Sequence, residues 1–143
     1  MTDLNQDIVY SCVQVYNRLE NGISVYLKDH GLSTGKFNIL MVIKHHGGPK
    51  GISQVAISKH LIVTPSNMTK MIDKLEKEGL VTRSAHGGDR RINVMKITPK
   101  GSRLLDDVWL GYLDTLNGLS GHLTQADKKK ISSLLGAWLK GIH

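Results

Sequence analysis

Two glycines, an acid and two arginines stand together in HGGDRRINVMKI, residues 86–97. The β-branched run that follows suits a strand, and a second such run, LVTRSA, precedes it at residues 80–85. The pattern predicts a β-hairpin with residues 86–91 as its loop and Arg90 and Arg91 near the tip. Gly87 and Gly88 can adopt positive φ and let the backbone come close to a partner. Asp89 can hold the Arg91 guanidinium in one orientation, so that less side-chain freedom is lost when it binds. An arginine presented this way suits a narrow, strongly negative groove such as the minor groove of A·T-rich DNA.

A second set of residues lies just upstream. Laid out at about 100° per residue, a helix over 65–78 places Met68, Met71, Ile72 and Leu75 in one arc of roughly 100°. Ser66, Lys70, Lys74 and Lys77 fall on the opposite side, flanked by Asn67 and Thr69. Short hydrogen-bonding side chains therefore come first and lysines later. A helix in the major groove needs that order, with its N-terminal residues at the base edges and its lysines at phosphates. The positive end of the helix dipole adds to the attraction.

The charge of the whole chain agrees. Nineteen Lys and Arg against twelve Asp and Glu give a formal charge of +7 over 143 residues. Residues 50–103 hold eleven of the basic side chains and four of the acids, so this stretch carries the entire excess. The remainder is balanced. Segregation of this kind points to a polyanionic partner.

Other chemistry finds little support. There is no P-loop, no G-x-S-x-G elbow and no pair of carboxylates at a glycine-rich turn, so no enzyme is expected. No cofactor is expected either. Cys12 is the only thiol and cannot form an internal disulfide; an inert half-buried cysteine is the expectation. His45 and His46 are adjacent and would point about 100° apart on a helix, and the other histidines are scattered, so no metal site is expected. No run of about 18 apolar residues could cross a membrane. The N-terminus, MTDLNQDIVY, lacks the basic and apolar regions of a secretion signal. A cytoplasmic protein is expected.

The elements that would hold these side chains can be read in order. Apolar residues at helical spacing predict a long helix over 4–29, with two stripes: Leu4, Ile8, Val15, Leu19 and Ile23, then Val9, Val13, Tyr16 and Leu27. Two apolar faces imply burial on two sides. Ser33 caps a helix over 34–46, and Gly47, Gly48 and Pro49 break it. Ser53 caps a short helix over 54–60. Thr64 and Pro65 suit the cap and first turn of the next helix, which ends at Gly79. A short helix, a tight turn and a longer helix make a helix-turn-helix. Thr98 and Pro99 repeat the cap-plus-proline start for a helix over 99–118. Thr124 with Asp127 opens a last helix as a capping box. The last two helices carry large apolar residues, among them Trp109 and Trp138. With the first helix they would form an apolar layer away from the basic segment, which suggests an intertwined dimer.

The order of elements, with SQVAISKHLIVTPSNMTKMIDKLEKEGLVTRSAHGGDRRINVMKITPKG at its centre, resembles the MarR (multiple antibiotic resistance) regulators. The signs are Ala56 in the short helix, Thr69 and Lys70 in the next, LEKEGLVTR at its end, the Asp89-Arg90-Arg91 triplet and ITPKG opening the following helix. The likeness covers residues 33–105 by sequence and the flanks by pattern. It implies a mainly α protein with a small β-hairpin wing. A winged helix-turn-helix domain would span 33–98, with dimerisation helices in 1–32 and 99–143. It also implies a homodimer on pseudopalindromic double-stranded operator DNA, a repressor in many members, and a small phenolic or lipophilic effector. By the same resemblance Arg91 is the wing arginine and Asp89 its orienting partner. The candidate DNA contacts are Ser53, Thr64, Ser66, Asn67, Thr69, Lys70, Lys74, Lys77, Arg83, Asp89, Arg90 and Arg91. The alternative is a winged-helix module whose lysine face meets an acidic protein. Redox-sensing members pair a first-helix cysteine with tyrosines, and the segment LSTGKFN lacks that pattern.

Overall fold

The computed structural model describes residues 3–62, 64–86 and 89–143; the side chains of residues 86 and 89–92 are outside the described set. Six helices and three strands follow in the order α1 (Leu4–Lys28), α2 (Thr34–His46), β1 (Ile52–Ser53), α3 (Gln54–His60), α4 (Met68–Lys77), β2 (Val81–His86), β3 (Asp89–Ile97), α5 (Pro99–Ser120) and α6 (Gln125–Gly141). The sheet is antiparallel with strand order β1-β3-β2. The architecture is mainly helical with a hairpin wing, as the sequence predicts.

Side-chain caps set most of the helix starts. Asp3, Ser33, Ser53, Thr98 and Thr124 each accept a backbone N–H of the first turn of α1, α2, α3, α5 and α6 respectively. At α6 the full capping box forms. The Thr124 hydroxyl accepts from the Asp127 N–H at 3.1 Å, and the Asp127 carboxylate accepts from the Thr124 N–H at 3.1 Å. Hydrogen bonds from Thr124 hold the Asp127 carboxyl below its usual pKa.

Three details differ from expectation. First, α4 begins at Met68, not residue 65. Pro65 instead opens a turn closed by the Met68 N–H on its carbonyl at 3.2 Å, and Asn67 has φ −108° and ψ 31°, outside the helical region. Thr64 is therefore not the cap, and Ser66 and Asn67 precede the helix. Second, the hairpin strands pair out to His86 and Asp89, so residues 89–91 belong to β3 rather than to a loop. Third, β1 was not foreseen. Its two residues pair with Val94 and Met95, a contact of long sequence separation that no local pattern announces.

One apolar core joins Leu27 and Leu32, the inward faces of α2, α3 and α4, the wing base at Leu80, Val81 and Met95, and Leu105 and Val108 of α5. It thus crosses the boundaries suggested for a winged-helix domain and its flanks. The Tyr26 hydroxyl of α1 donates to the Val108 carbonyl of α5 at 2.7 Å. The ring lies against Gly111, where a Cβ would collide with that hydroxyl. The end of α4 is fastened to the start of α5. The Thr98 hydroxyl donates to the Gly79 carbonyl at 2.6 Å, the Lys100 ammonium to the Glu78 carbonyl at 2.7 Å and the Thr98 N–H to the Leu80 carbonyl at 3.0 Å. Gly101 is buried directly over the Leu80 carbonyl, leaving no room for a side chain.

Beyond the core the picture changes. No residue of α6 is buried. Leu134, Leu135, Trp138 and Leu139 are exposed, as are Leu4, Val9, Tyr10 and Val13 of α1 and Leu110 of α5. The two predicted α1 stripes contribute one fully buried residue, Leu27.

Candidate nucleic-acid interface

The candidate recognition face lies on α4. Met68, Ile72 and Leu75 are buried and anchor the helix. Thr69, Lys70, Lys74 and Lys77 are exposed. None of the three lysines is in an ion pair among the described residues. Their ammonium groups are thus available to phosphates along one side of the helix.

The outward arc also carries an acid that the sequence reading passed over. Asp73 lies one turn beyond Thr69 and is exposed. Arg83, from strand β2, neutralises it: the guanidinium donates to the Asp73 carboxylate at 2.7 Å. Arg83 is among the candidate DNA contacts. In the structure it first offsets a negative charge that would repel phosphates.

Thr69 is similarly engaged. The Gln54 side-chain amide, at the first residue of α3, donates to the Thr69 hydroxyl at 2.8 Å. Ser53 is half-buried and its hydroxyl accepts the Ala56 N–H at 3.2 Å, so it serves as the α3 cap. Ser53, Gln54, Val55, Thr69, Arg83, Asn93 and Met95 together line a cleft of about 470 Å³ between α3, α4 and the wing base. Three of the twelve predicted contacts therefore share one cleft. Gln54, Val55 and Asn93 were missed. Val55, two residues after the Ser53 cap, is 68% exposed, which its apolar type does not announce.

Thr64, Ser66 and Asn67 are exposed in the turn that enters α4. Asp89, Arg90 and Arg91 begin β3, and the expected Asp89–Arg91 contact falls on side chains outside the described residues. Lys36 and Lys44 face away from this role: they pair with Glu78 and Asp106 at 2.6 Å each. The histidines are less scattered in space than in sequence. His46 and His60 stack with ring centroids 3.8 Å apart and planes 13° apart. Among the described residues no three His, Cys, Asp or Glu side chains come together as a metal-binding group. Cys12 is half-buried.

Residues 32–92 match the MarR family. Over that segment the chain is similar to the MarR regulators. It is 24% identical over 135 residues to the transcriptional regulator MhqR of Bacillus subtilis, spanning 94% of this chain and 91% of that protein. The fold also recurs in solved structures. A MarR mutant from E. coli complexed with operator DNA superposes with a TM-score of 0.81 at 24% identity, covering 96% of this chain and 99% of that one. The organohalide-sensing regulator RdhR in its 2,4-dichlorophenol-bound form has a TM-score of 0.86 at 18% identity, covering 99% and 82%. The curated relatives MhqR and YetL of Bacillus subtilis are named as a transcriptional regulator and a transcriptional repressor.

Proposed function

We propose that the protein binds pseudopalindromic operator DNA as a homodimer and represses transcription until a small lipophilic effector binds. The observation that carries the DNA-binding part is the lysine stripe of α4, exposed and unpaired among the described residues on a helix locked to the core by its opposite side. In this reading the winged-helix part, residues 33–98, reads DNA, and residues 1–32 and 99–143 bring two copies together. The exposed apolar side chains of α1, α5 and α6 support the second copy. It would set the two α4 helices about 34 Å apart, one turn of duplex. A cleft of about 480 Å³ bordered by Tyr16 and Glu20 of α1, Asn38 and Met41 of α2, and Leu61 and Met71 supports an effector site.

The direct test selects bound sites from genomic DNA fragments, with and without phenolic compounds. An enriched pseudopalindrome supports the reading, and equal recovery of all fragments removes it. Lys74→Ala should weaken every sequence about equally and lower the slope of log affinity against log salt by about one. A change in preferred base instead would contradict the phosphate role. Arg91→Ala should cost about 1–3 kcal/mol of operator binding and relax preference at A·T-rich flanks. Unchanged affinity would mean that the wing does not touch DNA.

A further inference from the structure

Thr69 and Asp73 lie one helical turn apart on α4, and each is held by a side chain from another element: Gln54 of α3 at 2.8 Å and Arg83 of β2 at 2.7 Å. We infer that Gln54 is a positioning residue for base recognition, taking one lone pair of the Thr69 hydroxyl and so biasing it to offer its hydrogen to the DNA. This rests on the DNA-binding reading above and adds a specificity to it.

A hydroxyl has one hydrogen to give and two lone pairs to accept with. The Gln54 amide NH₂ fills one lone pair. A hydrogen cannot also point at that amide, so the Thr69 O–H turns elsewhere. Serines and threonines on helices often give this hydrogen to the carbonyl four residues back. Ser58 does so to Gln54 at 3.1 Å and Thr115 to Gly111 at 2.8 Å. Among the described residues no carbonyl takes the Thr69 hydrogen. It remains free at the exposed start of the helix, the end that meets base edges in helix-turn-helix docking.

In the major groove guanine offers N7 and O6, adenine N7 and thymine O4 as acceptors, whereas cytosine offers only its N4 donor. A Thr69 whose hydrogen is free and which has one lone pair already taken is biased toward donating outward, and so disfavours cytosine at the base it faces. Gln54→Glu reverses the polarity. A carboxylate accepts the Thr69 hydrogen, and the lone pairs left outward favour the amino groups of cytosine or adenine.

The experiment is selection from a random duplex library with the full-length wild type, Gln54→Glu, Gln54→Ala, Thr69→Val and the Gln54→Glu/Thr69→Val double variant. The wild type should deplete cytosine at one position of each half-site. Gln54→Glu should raise the cytosine-to-guanine ratio there by about fivefold or more, leaving other positions in place. Gln54→Ala frees the hydroxyl and should flatten that position. In the Thr69→Val background Gln54→Glu should change nothing further at that position. An unchanged base profile in Gln54→Glu, or a loss of affinity equal for all sequences, overturns the proposal while leaving DNA binding intact. A wild type that enriches no sequence overturns both readings.

Discussion

The winged-helix body and the chain's helical ends solve opposite problems. In the body the core side chains from Leu27 to Val108 close on one another, and Ile39, Leu40, Ile57, Ile72 and Leu75 are wholly buried. In α6 nothing is buried, although Leu134, Leu135, Trp138 and Leu139 are as apolar as anything in the core. An isolated helix of 17 residues is marginal in water. The body therefore covers its own apolar faces, whereas α6 leaves its apolar side chains exposed. Hydrophobic content alone would not separate the two regions; what separates them is whether the chain covers its own apolar faces.

The largest effect should come from within the body. Leu75→Ala should cost about 2–5 kcal/mol, because it leaves a cavity where a wholly buried side chain stood. Urea melts should show the same loss at every protein concentration; a loss that grows on dilution would make the body dependent on association. Trp138→Ala should act through association. It should weaken self-association by about 2 kcal/mol, as a buried tryptophan anchor does, and leave the body's cooperative core intact. Sedimentation of wild type and variant over a range of concentrations checks this. An unchanged association constant would mean that α6 lies outside the interface.

The smallest effect concerns the α6 cap. The Asp127 carboxyl is held below its ordinary value by its hydrogen bonds to Thr124. Its contribution is therefore present above the unfolded value and is lost as pH falls through the folded one. Asp127→Asn should remove this acid-side dependence from α6 helicity followed by circular dichroism. An identical acid limb in the variant would show that the box does not couple to the helix.

The sequence made the helices legible because their signals are local. Ser33, Ser53, Thr98 and Thr124 announce starts through hydroxyls, and apolar spacing announces α2 and α5. The start of α4 was misplaced because Thr64 and Pro65 fit a helix N-terminus equally as well as the turn that they form. β1 stayed hidden because Ile52 and Ser53 become a strand only by meeting Met95 and Val94. At the interface the lysine face followed from helical geometry. The engagement of Thr69 by Gln54 and of Asp73 by Arg83 did not, since each joins residues from separate elements whose approach is decided by packing.

The fastening of α4 to α5 carries a mechanical result. Thr98, Lys100 and Gly101 hold the last carbonyls of the reading helix and its exit with almost no slack. A tilt of α5 would therefore pull on the exit of α4 through these contacts. In the homodimer proposed above, the spacing of the two α4 helices would then follow the angle between the α5 helices, and a molecule wedged beside α5 would shift it without touching a base.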